Sequence, residues 1–245
     1  MGLTEGYRSD KRKIKKTTIS KSDINIGQRV DKFIANSEFV AKRIKKYYQR
    51  DSTVIYPPVN TKQFNIAPEV GNYYVIVSRL RPYKKVDMAI NAFNKLHIPL
   101  KVIGGGEEVT HLRKIAKSNI EFLGELPDKE RNEVMSKAIA FIHPQEEDFG
   151  IAAVESMACG RPVIAYKSGG ALETIIEGET GEFFEEQTWE SLADTVIEFH
   201  QKKNEYNPES IKVHAEKFDT SVFKEKINDF VNKSWQEFSG RSIIK

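Results

Sequence analysis

Ala140-Phe-Ile-His-Pro-Gln-Glu-Glu-Asp-Phe-Gly-Ile-Ala-Ala-Val-Glu-Ser-Met-Ala-Cys-Gly-Arg-Pro-Val-Ile-Ala165 runs through a strand, a loop, a helix and a second strand without interruption. Ala140–His143 and Pro162–Ala165 are apolar runs of strand length, and the small residues of 151–158 between them suit a helix. The same alternation extends both ways. Upstream, strands are expected at Tyr73–Val77, Leu100–Ile103 and Ile120–Leu123, with helices near 87–96, 108–117 and 128–137. Downstream, a helix near 171–177 precedes a strand at Gly181–Phe184. Strand and helix alternating at this spacing make an α/β fold, a parallel, doubly wound sheet with helices on both faces. A helix near 188–202 follows, with Leu192, Val196 and Phe199 on one face, and a last one near 220–238 would align Phe223, Ile227, Phe230 and Trp235. Ahead of the sheet, Asn36-Ser37 offers a helix cap before Val40, Ile44 and Tyr47, and Thr53–Tyr56 reads as a short strand stopped by Pro57-Pro58.

Such sheets bind ligands beyond the carboxyl ends of their strands, so the loops there are where chemistry is expected. Ser78-Arg-Leu-Arg-Pro-Tyr-Lys-Lys85 concentrates cations after the first core strand. Basic loops are common on solvated surfaces, but in the crevice Arg and Lys would clamp a diphosphate. Glu146-Glu-Asp-Phe-Gly150 leads into the helix of small residues, whose free N–H groups and positive dipole end suit a phosphate. Acids at a helix start also stabilise it, by ~0.3–1 kcal/mol each. Glu155 lies too far inside the helix for that, and a carboxylate accepts hydrogen bonds from vicinal sugar hydroxyls. Gly169-Gly170 opens the next helix, where close ligand approach or plain turn chemistry explains the glycines equally well. Gly104-Gly-Gly106 fails the dinucleotide pattern because Val109 stands at the last glycine position. The five histidines are scattered, and neither a metal cluster nor a nucleophile elbow is present.

Composition bounds the rest. With 245 residues, 39% hydrophobic and 30% charged, the chain has the makeup of a soluble globular protein. No apolar run approaches the ~18 residues that span a bilayer, and the opening residues lack a secretion signal's apolar core. The single cysteine, Cys159, excludes an internal disulfide framework and fits a reducing, cytoplasmic setting. A net charge of +3 does not imply nucleic acid. The excess sits in the first fifty residues, in Lys11–Lys16 and in Lys42, Arg43, Lys45 and Lys46. These make either a mobile tail with a solvated helix face or a peripheral contact with anionic lipid, at roughly 1 kcal/mol per cation.

Taken together, the loops resemble glycosyltransferase family 4, the retaining enzymes built from two facing Rossmann-like domains, the GT-B fold. Glu147-x7-Glu155 looks like that family's signature and Arg79-Leu-x3-Lys84 like its diphosphate clamp; Gly169-Gly170 before Glu173 and the Thr180-Gly181 turn are similar too. Ile34-Ala-Asn-Ser-Glu-Phe-Val40, Tyr56-Pro-Pro-Val59 and Glu147-Asp-Phe-Gly150 look like bacterial O-antigen mannosyltransferases of lipopolysaccharide biosynthesis. The resemblance implies a nucleotide-sugar donor, GDP-mannose, no metal or other cofactor, and a glycan or lipid-linked sugar acceptor. It implies that Glu147, Arg79 and Lys84 are catalytic, with Arg79 and Lys84 on the diphosphate and Glu147 on the donor sugar. Glu155 would hold the ribose, Gly150 and Ile151 would offer backbone N–H groups, and Leu126 and Asp128 would meet the base. Lys85 and Gly104 complete the implied donor-binding set, Lys85 standing where many relatives have Gly and able to replace Lys84 in the clamp. Asp148 also stands at a common Gly position. The expected organisation is a basic, weakly ordered remnant or linker over 1–29, a nucleotide-sugar-binding domain over 30–218, and a helix over 219–245 that crosses to an amino-terminal acceptor domain. The alternative is a truncated module that holds nucleotide sugar without transferring it.

Overall fold

The computed structural model describes residues 27–241. Ile34–Ala35 (β1) and Thr53–Val54 (β2) pair in parallel around helix Glu38–Tyr48 (α1), forming a small sheet of their own. The Ser37 hydroxyl accepts from the Val40 N–H at 3.1 Å, so the expected cap forms. β1 is too short for its periodicity to be legible in sequence.

The main sheet has six parallel strands, Tyr74–Val77 (β3), Leu100–Ile103 (β4), Ile120–Gly124 (β5), Phe141–His143 (β6), Val163–Tyr166 (β7) and Gly181–Phe184 (β8). Their order is β5-β4-β3-β6-β7-β8. The chain therefore winds outward from β3 one way and from β6 the other, and the order reverses between those two strands. This is a Rossmann-like arrangement with its crevice beside β3 and β6. β3, β6 and β7 are nearly continuous runs of buried Val, Ile and Phe, as strands covered on both faces must be. Edge strand β5 instead exposes Glu121.

Helices Val86–Leu96 (α2), Val109–Ile115 (α3), Asp128–Ser136 (α4), Ile151–Ala158 (α5), Ala171–Thr174 (α6) and Trp189–Lys202 (α7) alternate with the strands as expected. α2 packs against α3 and α7, and α5 against α6 and Pro208–Ala215 (α8), covering the sheet. β2 stops at Val54, not Tyr56, and α3 covers Val109–Ile115, not 108–117; α6 stops at Thr174, not 177. Ile175 is extended, and the Ile176 N–H bonds the Thr180 hydroxyl at 2.8 Å instead of continuing the helix. α8 had no counterpart in the periodicity, yet Asn207 caps it and Pro208 occupies its first turn.

Thr220–Arg241 (α9) starts at Asp219, whose carboxylate accepts from the Ser221 hydroxyl at 2.6 Å, the Thr61 hydroxyl at 2.7 Å and the Ser221 N–H at 2.9 Å. Those donors hold its carboxyl well below the usual range. Phe223, Ile227 and Phe230 are half-buried on the expected stripe, whereas Trp235 is 65% exposed beside exposed Val231 and Phe238. The Lys11–Lys16 cluster lies outside the described residues. Among Lys42, Arg43, Lys45 and Lys46, Arg43 pairs with Asp148 at 2.5 Å and Lys45 with Asp51 at 2.8 Å. No helix among the described residues is long and apolar enough to cross a membrane.

Candidate active site

The loops that leave β3 and β6 meet where the strand order reverses. Between them lies a cleft of about 600 Å³ lined by Tyr83, Lys84, Glu147, Gly150, Ile151 and Glu155. Asn36 and Pro57, which follow β1 and β2, close its far side. Both parallel sheets thus point their carboxyl ends at one cavity.

Three contacts set the small sheet against the main one. Glu173 accepts from the Glu38 and Phe39 N–H groups at 2.7 and 2.9 Å, capping α1 from across the cleft. Asp148 holds Arg43. Tyr56 stacks on Phe149, with ring centroids 5.6 Å apart, and both rings meet Phe218 edge-on. Phe149, within the acidic loop, is therefore an anchor for the residues on either side of it.

At the cleft's centre the Lys84 ammonium contacts the Glu147 carboxylate directly, both being largely enclosed. Burial first and the neighbouring Arg79 guanidinium second pull Lys84 below its ordinary pKa. Lys85 is turned out of this contact: it adopts a left-handed backbone, φ 55°, ahead of α2, and does not line the cleft. Arg79 is exposed and stands behind Lys84, near enough to act on its charge without lining the cavity.

Gly169 and Gly170 explain how Glu147 is presented. A Cβ on Gly169 would lie 2.3 Å from the Glu147 carbonyl oxygen, and one on Gly170 would lie 2.5 Å from that of Asp148. The Gly170 N–H donates to the Glu147 carbonyl at 2.8 Å. These glycines let the protein's own backbone approach, so the acidic loop rests on the Gly-Gly turn.

α5 begins at Gly150 (φ 93°) with no side chain capping it, which leaves its first N–H groups open to the cleft. Glu155, farther along α5, has its carboxyl raised above the ordinary range by burial, with Arg131 opposing and Asp128 adding to the shift. Arg131 was not anticipated from the sequence. Its guanidinium stands 3.0 Å from Asp128 and 3.7 Å from Glu155, linking acids from two separate helices. The Asp128–Arg131 spacing along α4 is the signal that could have pointed to it. Asp128 itself is 78% exposed and opens on an adjacent hollow with Gln63, Asn65 and Asn132. Leu126 packs partly buried against the core, and Gly104 lies beneath the Ser78 backbone; neither lines the cleft.

His143 also escaped attention. It is fully buried at the end of β6, with Gln145 Nε2 3.4 Å from Nδ1 and Glu147 4.0 Å from Nε2. A Cβ on Gly150 would sit 3.3 Å from that Nε2, so the ring forms the floor under the start of α5. Burial, with Lys84 adding, pushes its pKa down to about 3. An unfolded chain takes up this proton near the ordinary value of 6.5, so the His143 contribution to stability is complete above that pH and is lost as pH falls towards 3. From pH 6.5 to 5 the loss amounts to about 2 kcal/mol. Thermal melts of His143→Gln should therefore fall less steeply between pH 7 and 5 than those of the parent. Parallel curves would contradict a buried neutral imidazole.

Residues 59–217 match the family described as glycosyl transferases group 1. A glycosyltransferase of Methanocaldococcus jannaschii is 29% identical over 85% of this chain and 60% of its own length. The GDP-mannose-dependent α-(1-6)-phosphatidylinositol monomannoside mannosyltransferase of Mycolicibacterium smegmatis is 34% identical over 51% of this chain and 41% of its own. Among solved structures, Anabaena HepE in complex with UDP and glucose superposes with a TM-score of 0.77 at 22% identity, over 86% of this chain and 66% of that one. Sucrose-phosphate synthase of Thermosynechococcus elongatus gives 0.78 at 19% identity, over 89% and 63%. These likenesses establish the Rossmann-like α/β fold. The chain spans about half the length of the curated relatives it matches. On the extent of the family match, the chain belongs to the group 1 glycosyl transferases.

Proposed function

We propose that the cleft binds GDP-mannose and that the protein transfers the mannosyl group, with retention and without a metal, to a glycan or lipid-linked sugar. The observation that carries this is the Lys84–Glu147 pair set against the uncapped start of α5. Breaking the anomeric C–O bond loads negative charge on the departing phosphate. A lysine ammonium, with Arg79 behind it, and a helix's free N–H groups stabilise such charge as it forms. Glu147, freed from Lys84 by the incoming diphosphate, is left to accept hydrogen bonds from the sugar hydroxyls, and Glu155 serves the ribose. The acceptor hydroxyl attacks the face the phosphate leaves and gives its proton to that departing phosphate, so configuration is retained.

Several mannosyltransferases among the relatives favour this sugar, two of them GDP-mannose-dependent by name, and the UDP complexes of a structural neighbour favour a nucleotide-sugar donor. The exposed Val231, Trp235 and Phe238 on α9 favour an acceptor-binding domain against that helix. The basic residues before and within α1 favour a cytoplasmic position at an anionic membrane face.

Titration calorimetry with GDP, UDP and ADP tests the donor. GDP should bind at micromolar to millimolar strength and more tightly than the other two. Equal or absent heats for all three would remove the mannosyl assignment. Mass spectrometry of GDP-mannose incubations then separates transfer or hydrolysis from simple binding.

A further inference from the structure

The amino ends of the strands hold a second cavity, about 670 Å³, on the opposite edge of the sheet from the donor cleft. Its walls come from the approaches to β3 (Val70, Asn72), β4 (His97–Pro99), β6 (Ile139) and β7 (Arg161, Pro162), with His200, Lys203 and Asn204 closing it. It shares no lining residue with the donor cleft.

Its chemistry is one-sided. The chain has 35 acidic residues, yet none lines this cavity, whereas Arg161, Lys203 and two histidines do. Arg161 is only 4% exposed. Among the described residues its side chain makes one hydrogen bond, a long 3.5 Å contact to the Ala67 carbonyl, and its buried Nε has no partner. Among the described residues no carboxylate pairs with either Arg161 or Lys203. Lys203 instead donates to His200 Nε2 at 2.9 Å, which leaves Nδ1 to face the Tyr74 hydroxyl at 3.0 Å.

A buried guanidinium with an idle donor is costly, and such groups are ordinarily paired. Two cations, one able to grip oxygens in a planar fork, match a compact dianion better than a single carboxylate. Ile98, Pro99, Ile139 and Pro208 supply apolar wall for an uncharged body, and Asn72 and Asn204 supply amides for its hydroxyls. We infer that this cavity is a second ligand site, which takes a small organic phosphate monoester between Arg161 and Lys203.

The dianion is common to sugar phosphates and nucleoside monophosphates, so mannose 6-phosphate and adenosine 5′-monophosphate serve as probes, with mannose and adenosine as neutral controls. Titration calorimetry should show saturable binding of at least one phosphate ester and none of its neutral counterpart. Lys203→Met, a change at the cavity's outer part, should weaken that binding at least tenfold, and Arg161→Gln should do the same where it folds. Lys84→Ala, in the other cleft, should leave it unchanged. Loss of binding in Lys84→Ala with retention in Lys203→Met would place the ester in the donor cleft and overturn the site. Absence of binding by either ester, or equal heats from the neutral controls, would overturn it as well.

Discussion

Replacing Lys84 with methionine should lower kcat/KM for sugar transfer by two to three orders of magnitude while leaving the protein folded. The size follows from the role: removing one preorganised donor from developing charge costs about 10²–10³ in rate. The variant keeps much of the side chain's bulk, so the wall beside Tyr83 survives. It also leaves Glu147 without its partner, and that carboxylate is only partly accessible. Some stability is therefore lost too, about 1 kcal/mol, a figure kept small by the water that reaches the cleft. Glu147→Gln in the same background should restore the melting temperature without restoring transfer, because the pair is electrostatic in the free protein and the leaving group still lacks its cation. A single Lys84→Met variant within threefold of the parent's kcat/KM would remove Lys84 from the chemistry. Lys85→Met is the matched comparison. Its side chain does not line the cleft, so its effect on transfer should be at least tenfold smaller.

How much of this was legible in the sequence depended on how locally each feature is determined. All six strands of the main sheet were readable because each is a short, mostly apolar run held between turns, and parallel pairing buries the central ones, β3, β6 and β7, on both faces. Lys84, Glu147, Gly150, Ile151 and Glu155 could be grouped beforehand because a doubly wound sheet carries the ends of its strands to one edge. What escaped was whatever depends on contacts between segments. The Asp128–Arg131 spacing pairs those two residues locally, but Arg131 reaches Glu155 only when α4 lies beside α5, and nothing local to 128–137 shows that. Glu173 looked like part of a glycine turn but caps a helix 135 residues earlier in the chain. The Arg161 cavity draws on residues from Val70 to Pro208, each sitting beside a strand's start, where the ligand rule for such sheets gives no reason to look.

Gly104→Ala should unfold the protein more readily than any substitution in the cleft itself, with a loss of about 2–5 kcal/mol. Gly104 has φ 125°, a conformation that residues with a Cβ rarely adopt, and that Cβ would stand 1.9 Å from the Ser78 carbonyl oxygen. The Ser78 backbone cannot yield easily. Its N–H bonds the Ile103 carbonyl at 3.0 Å, and two residues on the Leu80 N–H bonds that of Gly105 at 2.8 Å. The glycine loop after β4 and the cation loop after β3 are thus laced together, and relief of the clash must push Arg79 and Lys84 out of place. For a chain of this length the expected fall in melting temperature is about 5–15 °C. Two explanations of Gly104 make opposite forecasts. A glycine kept so that donor can approach the backbone predicts weaker GDP binding at an unchanged melting temperature. A glycine kept so that one loop can lie against another predicts a lowered melting temperature first, with weaker binding only as a consequence of the displaced lysine. Differential scanning calorimetry of Gly104→Ala, alone and with saturating GDP, separates them, and a variant that melts with the parent would sink the second explanation.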